Sequence, residues 1–127
     1  MKVVYNACYG GFSLSKEGLN LYNQKRVKLD LTTLNYSRGI DRHDSLLVEV
    51  VEELGEAANG TRAKLKIDEI SEEYKNCYTI SEYDGTEMII CEPSKLVEHY
   101  LKYLNVQNLT DEECRKILQE MVKILSS

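Results

Sequence analysis

The feature that most restricts the fold lies late in the chain. Cys77-Tyr-Thr-Ile-Ser-Glu-Tyr83 and Thr86-Glu-Met-Ile-Ile-Cys-Glu92 are two runs of strand-type residues joined by Asp84-Gly85. Asp-Gly tolerates positive φ at both central positions of a type I′ turn, whose twist matches that of paired strands. The two runs are therefore predicted to form a two-residue β-hairpin. That turn pairs Ile80 with Ile89 and Tyr78 with Cys91 on one face. Pro93, the only proline, ends the second strand. Beyond it the apolar period changes from two to 3.6. Ser94 is expected to cap a helix with Leu96, Val97, Tyr100, Leu101 and Leu104 on one stripe, and 105–108 form a link. Thr110-Asp-Glu-Glu113 reads as a capping box that opens a second helix, with Cys114, Ile117, Leu118, Met121, Ile124 and Leu125 inward.

Upstream, Lys2 to Cys8 read as a strand ended by Gly10-Gly11. Ser13 or Ser15 caps a helix over 15–25 with Leu19 and Tyr22 facing inward. Val27, Leu29 and Leu31 alternate with Lys28, Asp30 and Thr32, the pattern of a half-buried strand. Asp44 stands where an N-cap belongs, and Leu47, Val50, Val51 and Leu54 recur at helical spacing, so 45–54 is predicted to be an amphipathic helix ended by Gly55. Ala63, Leu65 and Ile67 alternate with basic residues in a further strand. The expected class is α+β: a small antiparallel β-sheet core with embedded helices and a C-terminal pair of α-helices. At 127 residues one domain is expected, with a β-rich core over 1–93 and a helical pair over 94–127. The apolar stripes of the pair point to a homo-oligomer, a dimer or higher.

Charge narrows the partners. The net charge is -5, which excludes a concentrated basic face for duplex nucleic acid. The charge is uneven, however. Residues 1–44 carry seven basic against four acidic side chains, whereas 45–76 carry eight acidic against four basic. A pocket for one small anion is compatible with that distribution. No run approaches the roughly 18 apolar residues of a membrane span, and the N-terminus does not read as a signal peptide, so a cytoplasmic protein is expected. Cys8, Cys77, Cys91 and Cys114 lack metal-ligand spacing and read as free structural thiols. No metal and no cofactor are implied.

Three places can carry chemistry. In Arg42-His43-Asp44, either Asp44 simply caps the helix beside two solvated residues, or Arg42, His43 and the free helix amides form an anion site. Tyr9-Gly10-Gly11-Phe12 is either a turn with core aromatics or a loop that lets a ligand approach the backbone, with an aromatic face for a base. Glu82-Tyr83-Asp84-Gly85 needs no function as a hairpin tip, although Tyr83 can wall a pocket. No catalytic signature appears, and the candidate ligand-binding set is Tyr9, Gly10, Gly11, Phe12, Arg38, Arg42, His43, Arg62 and Tyr83.

Tyr9-Gly-Gly-Phe-Ser-Leu-Ser15, Asp41-Arg-His-Asp44, Leu47-Val-Glu-Val-Val-Glu-Glu-Leu-Gly55, Ala58-Asn-Gly60, Ala63-Lys-Leu-Lys-Ile67 and Glu82-Tyr-Asp-Gly-Thr-Glu87 together resemble a family of small phage and prophage proteins. The resemblance covers about residues 1–93. The β-rich core followed by a helical pair also looks like the first-type Thoeris anti-defence family. That resemblance implies a non-enzymatic sponge that sequesters a small cyclic nucleotide signal of the cyclic ADP-ribose class inside a bacterial host, although no binding residue of that family can be matched by position here. The alternative is a protein–protein inhibitor of a host defence effector or nuclease, which the acidic helix from Glu49 to Glu56 would contact.

Overall fold

The computed structural model describes residues 1–106 and 111–126. The class is α+β. The elements are β1 (Lys2–Asn6), α1 (Lys16–Lys28), α2 (Ser45–Leu54), β2 (Leu65–Glu69), β3 (Thr79–Tyr83), β4 (Thr86–Ile90), α3 (Pro93–Val106) and α4 (Asp111–Ser126), with short 3₁₀ turns at Gly55–Ala58 and Glu72–Tyr74. Among the described residues the strands form two separate ribbons, β1–β2 and β3–β4, rather than one sheet. The chain divides into two compact units. The first contains Met1–Ser71 and Ile80–Ile89, and the second contains Glu72–Thr79 and Ile90–Ser127.

The first unit is built around α2. Asp44 accepts hydrogen bonds from the amides of Leu46 (2.8 Å) and Leu47 (3.3 Å), and Gly55 closes the helix at a φ of 56°. Between these caps Leu47, Val48, Val50 and Val51 are buried together with Val4, Tyr22, Ile40, Ala58 and Leu65. β1 pairs antiparallel with β2 from Lys2↔Glu69 to Asn6↔Leu65, and Val3 and Val4 are both fully buried, so neither face of this strand is solvated. Ser15 caps α1, accepting from the Gly18 amide at 3.0 Å. Residues 13–15 are tied to the turn after α2 by Ser15 N–H to Ala58 O and Gly60 N–H to Ser13 O, both 2.9 Å. α1 and α2 also share ion pairs, in which Lys25 Nζ reaches Glu53 (3.0 Å) and Glu49 (3.6 Å).

The strand expected over 27–31 is absent. α1 continues to Lys28, and the amides of Leu29 and Leu31 both return to the Arg26 carbonyl, with Asp30 in the left-handed region. Val27, Leu29 and Leu31 lie exposed instead. The hairpin matches expectation, with Asp84 at φ 53° and Gly85 at φ 88° supplying the two positive values of a type I′ turn.

In the second unit α3 packs against α4, with Leu96 and Met121 buried. α3 begins at Pro93 rather than after a Ser94 cap. Proline is preorganised for the first helical position, and the Glu92 carbonyl accepts from Lys95 and Leu96. Leu101 and Leu118, expected inward, are 46% and 49% exposed. Thr110 and residues 107–109 lie outside the described residues, as do the side chains of Leu104, Cys114, Ile124 and Leu125. Burial raises the Cys77 thiol pKa, with the nearby Cys91 adding to it, which favours an inert thiol.

Candidate functional site

Asn6 organises the end of the first unit where the candidate residues gather. It is fully buried, and each of its side-chain hydrogen-bonding atoms is used. Nδ2 donates to the carbonyls of Cys8 (2.7 Å) and Gly85 (2.8 Å), and Oδ1 accepts from the Lys64 amide (2.8 Å). The Asn6 amide donates to Glu87 Oε1 at 2.8 Å. One residue of β1 thus fixes both the hairpin tip and the start of β2.

Glu87 is buried on β4 and forms a two-pronged ion pair with Arg42, with Nη2 to Oε2 at 2.8 Å and Nη1 on Oε1. The Arg42 guanidinium also lies 3.6 Å from the Phe12 ring centroid. Bidentate pairing and stacking are the two contacts for which arginine is best shaped. Both are made within the protein, so Arg42 and Phe12 form a wall and are not a free cation and a free aromatic face. Nor are the α2 amides available as an anion site, because Asp44 caps them; its other oxygen accepts from the Tyr22 hydroxyl at 3.0 Å. Burial raises the Tyr22 pKa, and the hydrogen bond to Asp44 raises it further.

The paired glycines have a packing role. A Cβ on Gly85 would stand 2.4 Å from the backbone nitrogens of both Gly10 and Gly11. A Cβ on Gly10 would meet Arg62 Cβ at 2.6 Å and Arg62 O at 2.7 Å. Three backbone segments therefore approach one another more closely than any side chain permits.

Around this junction are two crevices that share Glu82. The wider, about 500 Å³, is lined by Tyr9, Gly10, Gly11, Arg62, Glu82, Asp84 and Gly85. The narrower, about 280 Å³, is lined by Phe12, Ser37, Arg38, Gly39, Arg42, Glu82 and Glu87. Seven of the nine residues singled out from sequence thus line one pair of crevices. His43 and Tyr83 line neither; Tyr83 points outward and is 82% exposed. Glu82 and Asp84 were not in the sequence-derived set, although strand alternation gives Glu82 the face opposite to Tyr83. Arg38, Arg62, Glu82 and Asp84 enter no ion pair among the described residues. Arg62 is also one of three non-glycine residues at positive φ among the described residues, at 62°.

Other surfaces are less suited to a small polar ligand. A depression of about 610 Å³ beside the end of α1 has mostly apolar walls, and its Asn23 is engaged by both backbone groups of Leu34 at 2.8 Å. The acidic face of α2 is largely neutralised, with Glu52 on Lys2 at 3.0 Å and Glu49 and Glu53 on Lys25. Among the described residues no group of three or more acidic, histidine or cysteine side chains could hold a metal ion, and no helix is long and apolar enough to cross a membrane. No family model, curated protein or solved structure matches the chain.

Proposed function

We propose that the protein binds and sequesters, without cleaving it, a small cyclic nucleotide signal of the cyclic ADP-ribose class, as a phage-encoded anti-defence protein acting in the cytoplasm of the bacterial host. The observation that carries this reading is the gathering of Tyr9, Gly10, Gly11, Phe12, Arg38, Arg42 and Arg62 around two crevices that share Glu82. Arg62 and Arg38, whose charges are not committed elsewhere, take the diphosphate. Tyr9, 68% exposed at the rim, stacks on the adenine. At Gly11, where nothing lies within 4 Å of an added Cβ, the backbone is open to close approach. The protein acts as a homo-oligomer through its C-terminal helices, a reading supported by Leu118 and Val122, which stand exposed one turn apart on α4.

Calorimetric titration with cyclic ADP-ribose isomers tests the reading, followed by denaturation of the complex and chromatography of the released nucleotide. Saturable binding with intact ligand recovered is expected. No heat with any isomer overturns the binding reading, and recovery of an opened or hydrolysed nucleotide overturns sequestration.

A further inference from the structure

From the lining of the wider crevice we infer a specificity device: Glu82 and Asp84 read a free ribose hydroxyl pair and discriminate ribonucleotides from their deoxy analogues. The inference rests on the nucleotide reading above and assigns the part of the ligand which that reading leaves without a partner.

The charge balance of the crevice leads to it. Arg62 is the single cation among its lining residues, against the two carboxylates of Glu82 and Asp84. A bare phosphate would be attracted by one and repelled by two. A ligand that fits must bring hydrogen-bond donors to the carboxylates while it brings an anion to the arginine, since an ionised carboxylate can only accept. A cationic ligand would satisfy the carboxylates but leave Arg62 facing like charge. A neutral vicinal diol beside a phosphate satisfies all three groups at once. Acidic side chains read ribose hydroxyls by the same chemistry in dinucleotide-binding folds.

The backbone that carries the two carboxylates is fixed by the turn and its contacts. A two-residue turn puts Glu82 opposite Glu87 across the ladder. Arg42 grips both oxygens of Glu87 and makes no ion pair with Glu82, so the Glu82 carboxylate is left to the crevices. Asp84 is carried by the turn, whose next residue, Gly85, is seated on the Gly10-Gly11 backbone and tied to Asn6. A volume of about 500 Å³ falls within the usual range for small-molecule sites.

The test is calorimetric titration of the full chain with cyclic ADP-ribose and with its 2′-deoxy and 2″-deoxy analogues. Wild type is expected to bind the parent at least tenfold more tightly than one of the two analogues. In Glu82→Gln/Asp84→Asn that preference is expected to fall below twofold, with parent affinity at least tenfold weaker. Arg62→Gln is expected to weaken parent and analogues alike and to keep the preference. Equal binding of parent and both analogues by wild type overturns the inference while the nucleotide reading stands, and so does a preference that persists in the double variant. Absence of parent binding by wild type overturns the inference, and absence of binding with every isomer overturns the nucleotide reading as well. The analogue comparison uses wild type alone, so it decides the question even if the double variant is unstable.

Discussion

Replacing Gly85 with alanine tests whether the hairpin tip is locked onto the Gly10-Gly11 loop as closely as described. Two costs separate cleanly. The first is conformational: at φ 88° an L-residue is disfavoured by about 1–2 kcal/mol, partly offset by the smaller unfolded-state entropy of alanine, about 0.4–1 kcal/mol. Gly39→Ala isolates this term, because Gly39 has φ 87° and nothing within 4 Å of the added Cβ. The expected loss at Gly39 is therefore about 1 kcal/mol. At Gly85 the same methyl group lands 2.4 Å from two backbone nitrogens, which cannot rotate away as a side chain could. The turn must lift, and lifting it breaks the 2.8 Å bond from Asn6 Nδ2 to the Gly85 carbonyl inside a buried network. An unsatisfied buried polar group costs about 1–3 kcal/mol, so Gly85→Ala is expected to lose about 2–4 kcal/mol in total. Urea unfolding followed by far-ultraviolet circular dichroism measures both variants under identical conditions. Losses that agree within about 0.5 kcal/mol, comparable to the experimental scatter between independent sites, would refute the close packing of turn and loop.

Further outcomes follow from the same junction and from α2. Glu87→Gln removes the charge that faces Arg42 while keeping the side-chain shape, and should lower stability by about 2–3 kcal/mol in urea unfolding; a loss below about 0.5 kcal/mol would place the pair with ordinary surface bridges. Asp44→Ala removes the cap on two amides and the acceptor for Tyr22, with an expected loss of about 1–2 kcal/mol. Because folding raises the Tyr22 pKa above 10.0, the folded state holds this proton more tightly than the unfolded chain. The corresponding stability is complete below pH 10.0 and is lost as pH rises through the folded value, so wild type should lose stability above pH 10.0 more steeply than Tyr22→Phe. Parallel alkaline unfolding curves for the two proteins would contradict the raised pKa.

Local elements were legible in the sequence where several independent signals agreed. For α2, the Asp44 cap, the helical spacing of Leu47, Val50 and Val51, and the stop at Gly55 all specify the same ten residues. For the hairpin, Asp84-Gly85 demanded one turn type. The alternation over Val27–Leu31 misled because three apolar residues at period two do not distinguish an exposed helix end from a strand. The site was half legible. Glycines, aromatics and arginines mark candidate ligand groups by residue type, but which of them the fold has already used depends on distant partners. Arg42 meets Glu87 across 45 residues of sequence, and Asn6 meets Gly85 across 79. No local pattern reveals such pairs. They moved Arg42 and Phe12 from the ligand to the wall and brought Glu82 and Asp84 into view.

The discontinuity of the first unit bears on the order in which the chain can be completed during synthesis. Residues 80–89 return to a body otherwise made from 1–71. A nascent chain ending at Ser71 already contains β1, α1, α2 and β2, yet the Asn6 carboxamide and main-chain amide still lack Gly85 and Glu87 as acceptors. Arg42 likewise waits without its carboxylate. Closing so long a loop costs entropy before its contacts form, so the last native step of this unit is expected to be docking of the hairpin tip, after translation has passed the Asp84-Gly85 turn. The proposed binding crevices would form only in that step, so truncated chains lacking the hairpin would carry a folded helical core without a ligand site.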